Sequence, residues 1–255
     1  MIFGRRKRAE QAAAEDAEER DEATAEDDEP GQEPVEDADV EVAPALDVET
    51  LDATEWRTDG PFDLRELHDE PDEDDEHPRI DLGSLILTGL PGSELRLQVS
   101  EDTQEIVSAM LVLGVPSEEQ MASSALELSA YAAPRSGGLW AELRDEISEA
   151  ATGAGGSASL GEGPFGVELR RLVPVSTPEG EQGYQPSRMW VAEGPRWLLR
   201  GIVYGQAAIE EDLDNPAVAA VIEAFRSVVV RRGDEAMAPG DLLPMTMPHD
   251  LTPAG

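Results

Sequence analysis

The sequence contains no cysteine. Disulfides, a disulfide-linked partner, thiolate nucleophiles and cysteine-based zinc or iron–sulfur sites are therefore excluded. Histidine is almost as scarce: His68, His77 and His249 are the only three, and all flank the region of apolar patterning. A Ser-His-Asp triad, a histidine metal centre or a histidine general base has no imidazole to draw on between residues 80 and 235. Lysine occurs once, as Lys7. No apolar run approaches the roughly 20 residues needed to span a bilayer. No Walker loop or dinucleotide fingerprint is present. The glycine-rich "GAGGSASLGEG" (153–163) lacks the lysine and the following helix of a phosphate cradle, and reads as a connection. No cofactor is expected.

Positive charge is short throughout, against 56 acids and a net charge of -37. Residues 1–79 hold 30 acids and 8 bases (-22), and residues 80–255 hold 26 acids and 11 bases (-15). Both parts repel polyanions, so nucleic-acid binding is disfavoured. From Ala9 to Arg79 the chain is rich in Asp, Glu, Ala and Pro and cannot bury enough surface to offset chain entropy. These residues are expected to be a disordered acidic arm. Within it, "EWRTDGPFDLREL" (55–67) carries Trp56, Phe62, Leu64 and Leu67 as a candidate docking segment. "DEPDEDDEH" (69–77) lacks the spacing and turn glycine of a calcium loop.

The basic start, Arg5, Arg6, Lys7 and Arg8 behind Ile2 and Phe3, contrasts with this arm. Near an anionic leaflet it would contribute about 4 kcal/mol, at about 1 kcal/mol per basic residue. The acidic arm opposes this, and one weak signal seldom anchors stably. Membrane contact is therefore marginal, and pairing with the acids that follow is favoured. No hydrophobic export segment follows the basic start, so a cytoplasmic location is expected.

After Arg79 the texture changes. "RIDLGSLILTGL" (79–90) reads as a short strand and "ELRLQVS" (94–100) as an alternating one. "EIVSAMLVLG" (105–114) reads as a strand covered on both faces, and "SSALELSAYAAP" (123–134) alternates less cleanly. "GGLWAELRDEISEAATG" has helical spacing with Gly153 as C-cap. Its acids, Glu142, Asp145, Glu146 and Glu149, fall on a solvent face. "SASLGEGPFGVELRRLVPV" is strand, kink, strand, and "GYQPSRMWVAEGPRWLLRGIVYG" (183–205) is a hairpin around "EGP". A last helix starts from Asn215 and Pro216, with a stripe of Val218, Val221, Ile222, Phe225 and Val229, and Gly233 beyond its end. The expected architecture is a single α+β domain over 80–235, a mainly antiparallel sheet with two principal helices packed on it. The proline-rich tail, 236–255, should be extended, with Leu242, Leu243, Met245 and Met247 lying across the domain.

One stretch has the makings of a site. "APRSGGLW" (133–140) leaves a strand through Arg135, Ser136, Gly137 and Gly138 and enters a helix. Free N–H groups at a helix start, a hydroxyl, close-approach glycines and a guanidinium suit an anion. The same residues also make an ordinary cap and turn. "GPRWLLRG" (194–201) adds Arg196 and Arg200, the latter inside a strand among large apolar residues, either paired structurally or clamping a ligand. No catalytic or metal-ligating set is expected.

The blocks "RIDLGSL", "APRSGGLWAELRDEI", "GPFGVELR", "QPSRMWVAEGPRWLLRG" and "FRSVVVRRGDEAM" occur in order between Trp56 and Pro248. Together they resemble the actinobacterial domain of unknown function 3710 family. The resemblance implies a cytoplasmic bacterial protein and supplies no catalytic residues to carry over. The order of elements is also similar to the PsbP and Mog1 type of sandwich, as a fold analogy only. The expected function is a non-catalytic interaction or accessory module with an unidentified protein partner. The alternative is a binder of, or enzyme acting on, a phosphorylated or anionic small molecule.

Overall fold

The computed structural model describes residues 45–67, 78–116, 121–177 and 180–248. The basic cluster Arg5–Arg8, most of the acidic arm and all three histidines lie outside the described residues. The chain is α+β, with two sheets and few helices.

The body is built on alternation. In β4 (Ser93–Val99) Leu95 and Leu97 turn toward the core while Glu94, Arg96 and Gln98 are exposed. β5 (Ile106–Pro116), β6 (Met121–Ala132), β7 (Ser157–Gly163), β8 (Gly166–Ser176), β9 (Gln182–Gly194) and β10 (Trp197–Gly205) complete a seven-stranded sheet. Its order is β4-β5-β6-β10-β9-β8-β7, antiparallel at every pair. A small sheet joins β1 (Phe62–Asp63), β11 (Val229–Val230), β3 (Leu85–Thr88) and β2 (Arg79–Asp81) in that order. The apolar run at 79–90 thus splits into two strands, β2 and β3, because Gly83 at φ 81° reverses the chain between them.

One face of the large sheet is covered over β5, β6 and β10. α4 (Pro216–Arg226) lays Val218, Val221, Ile222 and Phe225 onto Leu111, Leu126, Leu199 and Val203. Burying each such side chain contributes about 1.5–3 kcal/mol. Asn215 caps α4, its side chain accepting from Ala217 N–H at 2.9 Å, and Pro216 occupies the first turn, where its missing N–H costs nothing. The helix is shorter than its apolar stripe: it ends at Arg226, and Val229–Val230 form β11 between β1 and β3. Three consecutive valines are poor helix formers, and two ladders compete for them.

The opposite face is half covered. α2 (Leu139–Gly153) packs on β7, β8 and β9, setting Leu139, Trp140, Leu143 and Ile147 against Leu169, Met189, Val191, Leu198 and Ile202. The C-cap of α2 is Ala154 and not Gly153. Over β5 no helix is laid down among the described residues, so Met110 and Val112 remain half-buried. The apolar run 105–114 therefore has one closed face, not two.

Composition placed the start of the fold at Arg79, yet residues 45–67 are ordered against the body as a strap. α1 (Val48–Ala53) buries Leu51, Trp56 lies over Gly166, and Arg144 grips Asp52 with two hydrogen bonds of 2.7 Å. Asp63, 3 % exposed, accepts from Trp197 Nε1 at 2.8 Å. Few apolar residues suffice because the strap's acids also bond to the body. The far tail behaves similarly: Leu243 and Met245 are buried, with bridges from Leu242 to Tyr131 and from Met245 to Gly83 and Ile106. Met247 is exposed.

Candidate functional site

The start of α2 is built by two loops that meet. β6 runs out into Arg135–Gly138, and Gly137 and Gly138 adopt φ of 68° and 83°, which any side chain would strain. Beside them the β9–β10 hairpin turns tightly, with Arg196 at φ 64°. The Arg196 carbonyl accepts from Ala133 N–H and from Arg232 Nε, each at 3.0 Å. This junction places Glu193 under the helix. Its carboxylate accepts from Gly138 N–H and Trp140 N–H, both at 2.6 Å. Two charge-assisted bonds along the helix dipole make this a strong cap. The anion held by these N–H groups is the chain's own.

The other residues proposed there lie as follows. Ser136 is exposed and contacts only the neighbouring Gly137 carbonyl, at 3.4 Å, so it is not the cap. Arg135 is exposed. Arg200 is directed elsewhere, onto the sheet face. Glu193 was the residue missed, since a carboxylate 53 positions from Trp140 gives no local capping signal. Above it, a cleft of about 250 Å³ is bordered by the strap and lined by Leu51, Trp56, Arg57, Trp140, Phe165 and Glu193.

A second ionic group lies under α4. Glu168, 1 % exposed, accepts from Arg170 Nε at 2.7 Å, Arg188 Nε at 2.9 Å and Trp190 Nε1 at 2.7 Å. Arg188, 3 % exposed, also donates to the Glu210 carbonyl at 3.0 Å and sits over the Trp190 ring. Three donors thus meet the buried carboxylate, the kind of satisfaction a buried ion pair requires.

The third group lies on the α2 face of the sheet, with Tyr131 and Tyr204 packed against the cluster beneath that helix. Arg200 donates to Ser129 Oγ at 2.9 Å and stacks on Tyr131, 5.1 Å from its centroid. Ser129 and Tyr131 share a hydrogen bond of 3.2 Å. From β8, Arg171 Nη2 reaches Ser187 Oγ at 3.3 Å. Between the arginines Tyr204 donates to Glu127 Oε2 at 3.2 Å. Burial first, then Glu127, pushes the Tyr204 hydroxyl up to about 12. Burial, with Arg200 nearby, pulls Arg171 below the usual guanidinium value.

Among the described residues no cluster of acids and histidines could hold a metal ion, and no helix is long and apolar enough to cross a membrane. No curated protein matches the chain. Residues 60–254 match the model of a family described as "Protein of unknown function (DUF3710)", and the chain belongs to that family.

Proposed function

We infer that this chain is a non-catalytic interaction module of the cytoplasm, and that its contact surface is the part of the seven-stranded sheet left open by α2. The observation that carries this reading is the asymmetry of the sheet. One face is closed by α4 and the small sheet, whereas the other leaves Met110, Val112, Glu127 and Arg200 half-buried beside exposed Arg96. The engagement of the buried acids also supports it. Glu168 serves three donors, Glu193 two backbone N–H groups, and Asp63 the Trp197 indole. A general acid or base needs a free lone pair or proton within reach of substrate, and these carboxylates spend theirs on the fold.

The partner is a protein that reads an open sheet. A photo-crosslinking residue at Val112, on that face, is compared in living cells with one at Glu146, on the outer side of α2. Adducts from position 112 that are absent from position 146 support the reading. No adduct from position 112, or the same adducts from both, overturns it.

A further inference from the structure

Many arginines of this molecule meet acids: Arg57 holds Glu66, Arg144 holds Asp52, Arg188 holds Glu168 and Arg231 holds Asp81, while buried Arg232 donates to the Arg196 and Glu235 carbonyls. With 56 acids to 19 basic residues, a carboxylate is rarely far from any guanidinium. Arg171 and Arg200 are exceptions at partly buried positions. Among the described residues neither has a carboxylate within ion-pair reach; their side chains bond only to the hydroxyls of Ser187 and Ser129. The Nε of each is buried with no acceptor. Leaving a buried donor unmet costs about 1–3 kcal/mol, and more when the group is charged.

The surroundings are built to the same purpose. Ser108 is 2 % exposed, and its Oγ also lacks a partner. Ala109 pairs with Leu128, so one further step along the β5–β6 register sets Ser108 beside Ser129, on the same face as Arg200. Tyr131 and Tyr204 flank the group, with Ile202 buried and Met110 half-buried between the strands. Glu127, whose charge acts on Arg171, accepts from Tyr204 and forms no ion pair with either guanidinium. Two cations against one carboxylate leave one positive charge over, in a chain whose net charge is -37.

We propose that the open sheet face around Arg171 and Arg200 binds a small-molecule ligand in which a phosphate or carboxylate group is carried on an aromatic body. The oxyanion lies between the half-buried side chains of Arg171 and Arg200 and balances the surplus charge. Guanidinium groups favour such planar, multi-oxygen partners. The aromatic body stacks against the tyrosines and covers Met110. The site deepens the reading of this face as the contact surface and rests on it, but it is tested separately from protein capture.

The test follows the arginine side-chain Nε–H resonances of the full chain while phenyl phosphate, benzoate and uncharged phenol are added in turn, each to about 10 mM, well above the range of a millimolar site. Saturable shifts at Arg171 and Arg200 with either anion, and none with phenol, are expected. Saturation at lower phenyl phosphate than benzoate identifies phosphate as the ligand's group, and the reverse order identifies carboxylate. Arg200→Lys and Arg171→Lys keep the charge and lose the forked geometry, and each should weaken binding about tenfold. No saturable shift with either anion overturns the site, as does an equal response to phenol. Undiminished binding by both folded lysine variants does the same. Failure here alongside specific crosslinks at position 112 would leave the interaction module standing without the ligand.

Discussion

Glu168→Gln tests how much of the fold depends on one buried charge. Glu168 and Arg188 are almost wholly removed from water, and the carboxylate also serves Arg170 and Trp190. Glutamine keeps the shape but substitutes an NH₂ for one of two accepting oxygens, so a donor faces a donor. Arg188 then keeps only the Glu210 carbonyl and the Trp190 ring. Breaking one side of a buried pair costs about 3–5 kcal/mol. For a folded unit of this size that lowers Tm by about 6–20 °C. Removing the stranded cation as well should undo part of the loss. Glu168→Gln combined with Arg188→Met should lose about 2 kcal/mol less than the sum of the two single losses. Urea unfolding followed by tryptophan fluorescence reads all four proteins, with Trp190 inside the cluster. A Glu168→Gln loss below about 1 kcal/mol, or a cycle that is strictly additive, would refute the view that this pair is held by mutual need.

Glu193→Ala removes both bonds at the start of α2 and should cost about 2 kcal/mol, read by thermal unfolding; a change of a few tenths would show that the helix start does not depend on this carboxylate. Gly201→Ala puts a methyl 2.7 Å from the Phe225 ring, so α4 must shift, at about 1–3 kcal/mol. A chain shortened to begin at residue 80 loses the contacts of Trp56 and Asp63 and should unfold at lower urea than one beginning at residue 45. Equal midpoints would return the boundary to Arg79. Burial pushes the Tyr204 hydroxyl up to about 12, from its ordinary value of 10.0. The folded state therefore holds its proton more tightly, and stability is complete below about pH 10 and falls as pH rises toward 12. Tyr204→Phe should flatten that alkaline decline in chemical unfolding midpoints.

Elements with a clean period were legible in the sequence. The Leu95/Leu97 alternation, the α2 spacing, the "EGP" hairpin and the Asn215–Pro216 start of α4 each rest on local chemistry that a short window contains. What failed had a distant cause. The extent of α4 depended on β1 and β3 competing for Val229 and Val230. Residues 55–67 stood out as a docking segment, whereas 45–54 looked like more of the acidic arm because its ion pair comes from Arg144, 92 positions away. At the candidate site, local reading found the helix start and its glycines. It could not find Glu193, which arrives from another strand, or see that Arg200 turns to Ser129 and Tyr131.

That division follows from the charge balance. In a chain this acidic, a free N–H cluster at a helix start is readily met by an internal carboxylate, and Glu193 meets it at α2. Such a site is an appealing anion receptor in sequence and is filled in the fold. The reverse holds for a guanidinium: with so many acids available, one that stays unpaired while partly buried is being kept from them by its neighbours. Around Arg171 and Arg200 those neighbours are serines, tyrosines and apolar side chains, and Glu127 is tied to Tyr204. Replacing Tyr204 by Phe should therefore do more than alter alkaline stability. Without its hydroxyl donor, Glu127 is released to turn toward the guanidinium groups, and the Nε–H resonances of Arg171 and Arg200 should move in the absence of any added anion. Unmoved resonances in a folded Tyr204→Phe protein would mean that Glu127 is not what leaves the arginines unpaired.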